Sequence, residues 1–156
     1  MLKKTKVLQV ADYFILKNNK NPKPDFTNKK LQKLLYYSQA WNLVINNKKL
    51  FDDKIEAWIH GPSVPIVYLE FKKFGYNEIK QDVKESDFPD ISTEEKNVLD
   101  SIWNVYGKYD ANYLEALSHS EEPWQKTRAG LMSYESSSAE ITIEEMKSYY
   151  EQKSKQ

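Results

Sequence analysis

One stretch, residues 27–45, constrains the fold more than any other part of the chain. Its apolar residues recur at steps of three and four, which is the spacing of one face of an α-helix. The face consists of Leu31, Leu34, Leu35, Ser38, Trp41 and Ile45, and it is widened by Tyr37, Ala40 and Val44. Burying each large side chain contributes about 1.5–3 kcal/mol before conformational entropy is counted. The pattern therefore predicts a central helix, N-capped by Thr27, around which the other helices pack.

Amphipathic segments on both sides of this stretch predict further helices. They cover residues 6–17, 63–74, 93–106, 110–119, a segment that begins at Ser120, and a last one from about residue 142 to 150. Ser63 and Ser120 are the predicted N-caps of their helices. Residues 55–60 favour a short strand that Gly61 and Pro62 end, and residues 141–143 fit either a strand or the lead-in to the last helix.

Length and composition agree with one domain that spans residues 1–156. The prediction is a mainly α, single compact domain of about six to seven helices with a small β element near residues 50–60. Apolar residues make up 40% of the chain, which excludes a disordered protein. No cysteine is present, which excludes disulfides and thiolate chemistry and fits a cytoplasmic location. We expect neither a signal peptide in the stretch from Met1 to Lys6 nor a membrane span.

The charges are unevenly distributed along the chain. Residues 1–54 hold 12 lysines and 4 acidic residues, a net +8, and the remainder carries a net −8. The favoured interpretation is that the two parts pack together and neutralise each other; the alternative is a basic face for an acidic partner or nucleic acid. Arg128 is the only arginine. Because arginine is the main residue that reads bases, specific nucleic-acid binding is disfavoured.

No motif for catalysis emerges from the sequence. The two histidines, His60 and His119, do not have the spacing of a zinc motif, although a site made of both with Glu121 or Glu122 remains an alternative. There is neither a glycine-rich phosphate loop nor a nucleophile elbow. The sequence therefore predicts a protein that is not an enzyme and that binds no cofactor or metal.

Aromatic residues are more numerous than a core of this size usually needs. For Trp41, Trp58 and Trp103 the favoured interpretation is core packing. The tyrosines expected to be exposed are Tyr13, Tyr36, Tyr109 and Tyr113. Tyrosine and tryptophan are also common hot-spot residues of protein interfaces, so an aromatic binding surface is the alternative.

Three segments in this order and spacing resemble the Panacea domain, a family of SocA/GepA-like phage-associated and antitoxin proteins. They are residues 27–41, then Phe51 with 55–58 and 61–68, then 117–124. The resemblance implies a non-enzymatic antitoxin that binds and neutralises a co-encoded toxin. It also implies an alternative, a phage or mobile-element adaptor or regulator that delivers a partner to a ClpXP-type protease or binds another host protein.

The two turns in the second and third segments suggest where such a partner binds. Each combines a proline and a histidine with a tryptophan, and we expect them to lie on one side of the domain and form part of a groove. The candidate partner-binding residues are Trp58, His60, Gly61, Pro62, His119, Trp124 and Arg128. The alternative is that glycine and proline shape the turn and the tryptophans fill the core, so that the motifs serve folding alone.

Overall fold

The computed structural model describes residues 4–156, in which seven α-helices accompany a three-stranded antiparallel sheet. The elements are α1 (Lys6–Lys20), α2 (Asn28–Ile45), β1 (Ile55–Trp58), β2 (Gly61–Ser63), α3 (Pro65–Phe71), α4 (Thr93–Tyr106), α5 (Ala111–His119), α6 (Glu122–Thr127), β3 (Glu140–Ile141) and α7 (Ile143–Ser154). Short 3-10 helices lie at Lys72–Phe74 and Glu85–Asp87. The predicted mainly α class with a small β element is confirmed. The expectation for the chain start falls partly on residues 1–3, outside the described residues.

Helix α2 is the central helix that the sequence predicts. It contacts α1, α3, α4, α5, α7 and β2. The Thr27 side chain caps it by accepting a hydrogen bond from the Lys30 backbone amide. Leu31, Leu34 and Leu35 are fully buried. Ile45, predicted on the same buried face, is instead 59% exposed, because it is the last residue of the helix and the neighbouring elements do not cover it.

Helix α2 also buries polar side chains, and two of them satisfy backbone groups of the loop that follows the helix. The Gln39 side chain donates to the Phe51 carbonyl and accepts from the Leu50 amide. The side-chain amide of Asn42 donates to the Lys48 carbonyl. Buried polar groups are costly unless they are hydrogen-bonded. These bonds therefore fix the path of the loop from α2 to β1.

The region around Gly61 differs from the prediction. Residues 55–63 form a hairpin in which Trp58 is paired with Gly61, so the strand ends two residues earlier than expected and Gly61 begins a second strand. Ser63 is not a helix cap. Its hydroxyl donates to the Gly61 carbonyl, and Val64 occupies the N-cap of α3. Proline has no backbone N–H to donate to a neighbouring strand. Pro62 is tolerated in β2 because β2 is an edge strand.

Three further predictions need correction. Glu121, not Ser120, is the N-cap residue of α6, because the Ser120 hydroxyl donates to the Leu117 carbonyl of the preceding helix. Helix α1 extends to Lys20 instead of Lys17. Tyr36 is buried at 1% exposure, since its ring packs against α7. For residues 141–143 both alternatives hold in part, since Ile141 ends β3 and α7 begins at Ile143.

Ion pairs link the basic and acidic parts of the sequence. Lys6 binds Glu95 at 2.9 Å and Lys17 binds Asp100 at 2.8 Å, so α1 is paired with α4. This agrees with the interpretation that the two parts neutralise each other. None of the helices in residues 4–156 combines the length and apolar character that crossing a bilayer requires.

Candidate partner-binding site

The turn of the β1–β2 hairpin lies directly over a buried lysine. Lys33 of α2 is 1% exposed, and its ammonium nitrogen donates to the Pro62 carbonyl at 3.0 Å. Burial lowers the pKa of Lys33 to about 7, an effect that the carboxylate of Glu115 opposes. A lysine seated there under neutral conditions is therefore partly uncharged and serves mainly to hold the turn.

Only glycine fits at residue 61. Its φ is +105°, a conformation that side-chain-bearing residues rarely adopt. A Cβ atom at this position would lie 2.6 Å from Cε of Lys33 and 3.1 Å from Oγ of Ser118. The hairpin turn, α2 and α5 therefore meet at this glycine with no space to spare.

The hairpin is joined to the start of α6 by aromatic contacts. The His119 ring stacks on the Trp124 ring with centroids 3.8 Å apart and planes 15° apart. The Trp124 indole N–H donates to the Trp58 carbonyl at 2.8 Å. The Trp58 ring meets the Tyr68 ring edge-on at 5.1 Å. The structure thus places the two predicted turns on one side of the domain, as the sequence indicates.

Both histidines face the same carboxylate, Glu115 of α5. Nδ1 of His60 lies 3.3 Å from one Glu115 oxygen, and Nε2 of His119 lies 4.0 Å from it. The other oxygen pairs with Lys29. Burial alone would raise the pKa of Glu115, but hydrogen bonds from Lys29 and His60 hold it below its usual value. Burial lowers the pKa of His119, an effect that the Glu115 carboxylate opposes, so burial favours the neutral form of this ring.

This arrangement does not provide the metal site considered from the sequence. Within residues 4–156 no group of three or more His, Cys, Asp or Glu side chains has an arrangement that could hold a metal ion. The carboxylate between the histidines is Glu115, whereas Glu121 binds tyrosines elsewhere. The pairing of both histidines with Glu121 or Glu122 was therefore wrong.

Arg128 is buried at 5% exposure and organises the loop after α6. Its guanidinium donates to the Ala57 carbonyl of β1 at 3.0 Å, to the Met132 carbonyl at 3.2 Å and to the Glu135 carbonyl. Arginine presents several donors in a fixed fork, and here three carbonyls use them. Arg128 therefore positions a surface loop.

A surface groove separates this loop from the hairpin. It has a volume of about 540 Å³ and is lined by Trp58, Ile59, His60, Ser136, Ser137 and Ser138. We call it the hairpin groove. Three serines in a row, as in residues 136–138, carry no distinctive sequence signal for such a groove. The groove exists because Arg128 holds that loop beside β1, a contact between residues 71 positions apart.

A second buried network connects α2, α6 and α7. Oε1 of Glu121, a residue 2% exposed, accepts from the hydroxyls of Tyr37 and Tyr150, both at 2.8 Å. Its other oxygen accepts from Lys153 at 3.1 Å. Burial, reinforced by the Glu121 charge, raises the pKa of Tyr37 far above its ordinary value. Both hydroxyls therefore remain donors at any physiological pH.

The seven candidate residues divide by exposure. The His60 side chain is 74% exposed, while Trp58, His119 and Trp124 are half-buried. Gly61, Pro62 and Arg128 are buried and act through the residues they position. Of the residues that assemble the site, sequence reasoning missed Lys33 and Glu115, and it considered Glu121 only as part of the alternative site with the histidines. In the sequence, their only signal is a polar or charged residue within an apolar helical pattern or at the junction of two predicted helices.

Comparison with known proteins agrees with this geometry. The family model described as the antitoxin SocA-like, Panacea domain matches residues 31–125, which covers most of α2, the hairpin, α3, α4, α5 and the start of α6. The searches of curated proteins and of solved structures returned no match. The matched range contains Lys33, the hairpin and Trp124, the groups whose contacts build the candidate site. The chain therefore belongs to the antitoxin SocA-like, Panacea domain family.

Proposed function

We propose that this protein is an antitoxin that neutralises a co-encoded protein toxin by binding it directly. Family membership supports an antitoxin-type role and a protein partner. From the family resemblance we further propose that the protein is cytoplasmic and is encoded by a phage or a mobile element. The observation that carries the binding mode is the tip of the hairpin, where exposed His60 and half-buried Trp58 lie on a frame held by hydrogen bonds from Lys33 and Trp124.

A rigid aromatic surface suits tight binding. The Trp58 carbonyl and the Pro62 carbonyl are both anchored, by Trp124 and by Lys33 respectively. Side chains on such a frame lose little conformational freedom on association, so more of the contact energy appears as affinity. Half-buried tryptophan at the centre of a patch is a typical hot spot.

The ionisable groups of the site support binding rather than catalysis as its role. Lys33 is sealed under the hairpin turn, and Glu121 is occupied by Tyr37, Tyr150 and Lys153. Glu115 is paired with Lys29 and His60. Each group already fulfils a structural role. We therefore include in the proposal that the protein is not an enzyme and needs no cofactor.

Specific nucleic-acid binding is not part of the proposal. The chain's only arginine, Arg128, is buried and donates to three backbone carbonyls. Its guanidinium group therefore cannot also form a bidentate contact with a base or a phosphate. A protein partner is the better match for the exposed aromatic edge.

The test is to express the product of the neighbouring reading frame alone and with this protein. We expect that product to stop growth on its own, co-expression to restore growth, and the two proteins to co-purify as a stable complex. A non-toxic neighbour, or growth restored without any complex, would contradict the proposal. Repeating the assay in a host without ClpXP distinguishes the adaptor alternative, since delivery to a protease predicts that rescue disappears there.

A further inference from the structure

The hairpin groove opens because the β1–β3 ladder stops early. Ala57 still donates to the Ala139 carbonyl at 2.9 Å, but the Ala57 carbonyl accepts from Arg128 instead of from the opposite strand. The Ala139 amide donates to the Ser137 hydroxyl. Beyond this point the serine loop and the end of β1 run apart as two walls, each fixed by its own hydrogen bonds. The groove, about 540 Å³, has room for side chains of an extended segment.

Exposed apolar residues lie in the same loop, just before the serines that line the groove. Met132 is 56% exposed and Tyr134 is 73% exposed, with Leu131 beside them at 38%. Arg128 ties this segment down through the carbonyls of Met132 and Glu135. An apolar strip on a loop that is held in place is a feature of interaction surfaces.

The charge next to the groove is negative and uncompensated. Glu56 of β1 and Glu140 of β3 are directly opposed in the sheet. Like charges at such a position are destabilising. Neither carboxylate forms an ion pair with a lysine, arginine or histidine anywhere in the described part of the chain. The Trp58 indole, which lines the groove, donates to Glu56 at 2.9 Å, so an aromatic ring and the acidic pair adjoin.

From this geometry we infer that the hairpin groove binds an extended segment of the partner that places a cationic side chain, arginine or lysine, against both Trp58 and the Glu56–Glu140 pair. The side chain would neutralise two opposed carboxylates and contact an indole ring at once. The flanking residues of the segment would cover Met132 and Tyr134. This inference rests on the proposed function, since it names the surface and the chemistry through which the toxin is bound.

The experiment measures the dissociation constant between this protein and the purified product of the neighbouring reading frame. Glu56→Gln combined with Glu140→Gln removes both charges and keeps the shape. We expect it to weaken binding by about tenfold and to reduce the dependence of binding on salt. Ser138→Trp, which fills the groove from an exposed position, should weaken binding at least as much. Exposed Glu151→Gln and Ser101→Trp are the matched controls and should change the constant by less than about twofold.

Thermal unfolding of the same variants separates binding from folding. Removing two opposed like charges should leave the melting temperature unchanged or raise it slightly, so weaker binding could not be ascribed to unfolding. A complex that forms equally well with both groove variants would overturn the inference and leave the proposed function standing. If the unmodified protein forms no complex at all, both this inference and the proposed function are contradicted.

Discussion

The Tyr37 hydroxyl donates a 2.8 Å hydrogen bond to Oε1 of Glu121, and the two residues are 84 positions apart. Tyr150 donates to the same oxygen from α7, and the Tyr36 hydroxyl is bonded to that of Tyr150 at 3.0 Å. One carboxylate thus joins the central helix, the entry to α6 and the last helix. Since α6 carries Trp124, this buried network also sets the position of the hairpin.

Disrupting this network should cost stability. We expect Glu121→Gln to lower the free energy of unfolding by about 2 kcal/mol, because hydrogen bonds to a buried charged group each contribute about 1.5–3 kcal/mol. Tyr37→Phe should cost about 1 kcal/mol. The double variant should cost less than the sum of the two, since both remove one interaction. Urea unfolding measures all three. Glu122→Gln, at an exposed neighbouring position, is the control and should stay within about 0.5 kcal/mol.

The spacing of apolar residues was enough to predict most of the helices. Val98, Leu99, Ile102 and Trp103 repeat at helical steps, and all are buried in α4. The burial of Lys33 and Glu121 could not be predicted in the same way. A lysine among leucines has the same local pattern whether it reaches solvent or, as here, a carbonyl 29 residues away.

Gly61 tests how tightly the hairpin turn is packed. We expect Gly61→Ala to lower the free energy of unfolding by about 3 kcal/mol, because strain at a positive φ adds to a collision with Lys33. Gly130→Ala has a similar φ of +89° but open space around it. It should cost only about 1 kcal/mol. Equal losses for the two variants, measured by chemical denaturation, would show that the turn has room to adjust.

Lys33 should make stability depend on pH. Burial lowers its pKa to about 7 from 10.5, so between these values the unfolded chain holds a proton that the folded chain has released. The free energy of unfolding therefore rises with pH across this window. Below pH 7 the lysine is charged in both states, and the folded state carries the full cost of burying that charge. From pH 6 to pH 9 the gain due to Lys33 should be about 2–3 kcal/mol.

The measurement compares unfolding of the unmodified protein and Lys33→Met at pH 6, 7.5 and 9. The substitution should flatten the rise, although Lys30, whose pKa burial lowers to about 8, retains part of it. Exposed Lys20→Met is the control and should leave the slope unchanged. A slope that survives Lys33→Met in full would mean that the ammonium group is not desolvated under the turn.

His60 separates binding from folding more cleanly than the other candidate residues. Its side chain is 74% exposed and has one contact, at 3.3 Å, with Glu115. His60→Ala should therefore change the free energy of unfolding by less than about 0.5 kcal/mol. If the hairpin edge meets the toxin, the same variant should weaken toxin rescue. Trp124→Phe, by contrast, loses a partly buried hydrogen bond to the Trp58 carbonyl and should reduce rescue and stability together.

The candidate site was also only partly predictable. The two turns combine the same residue types, and this indicated that they lie together. The hairpin groove could not be predicted, because it depends on Arg128 reaching β1 and on a serine loop whose sequence fits many conformations. Local composition gives no information about such a contact.

The most direct test of the account uses two purified proteins and nothing else. The activity of the toxin from the neighbouring reading frame is titrated with this protein in the absence of any protease. Direct neutralisation predicts that the activity falls linearly and ends at a fixed molar ratio, with a complex of the same ratio in solution. Activity that persists at an excess of this protein, and falls only when a protease is added, would contradict it.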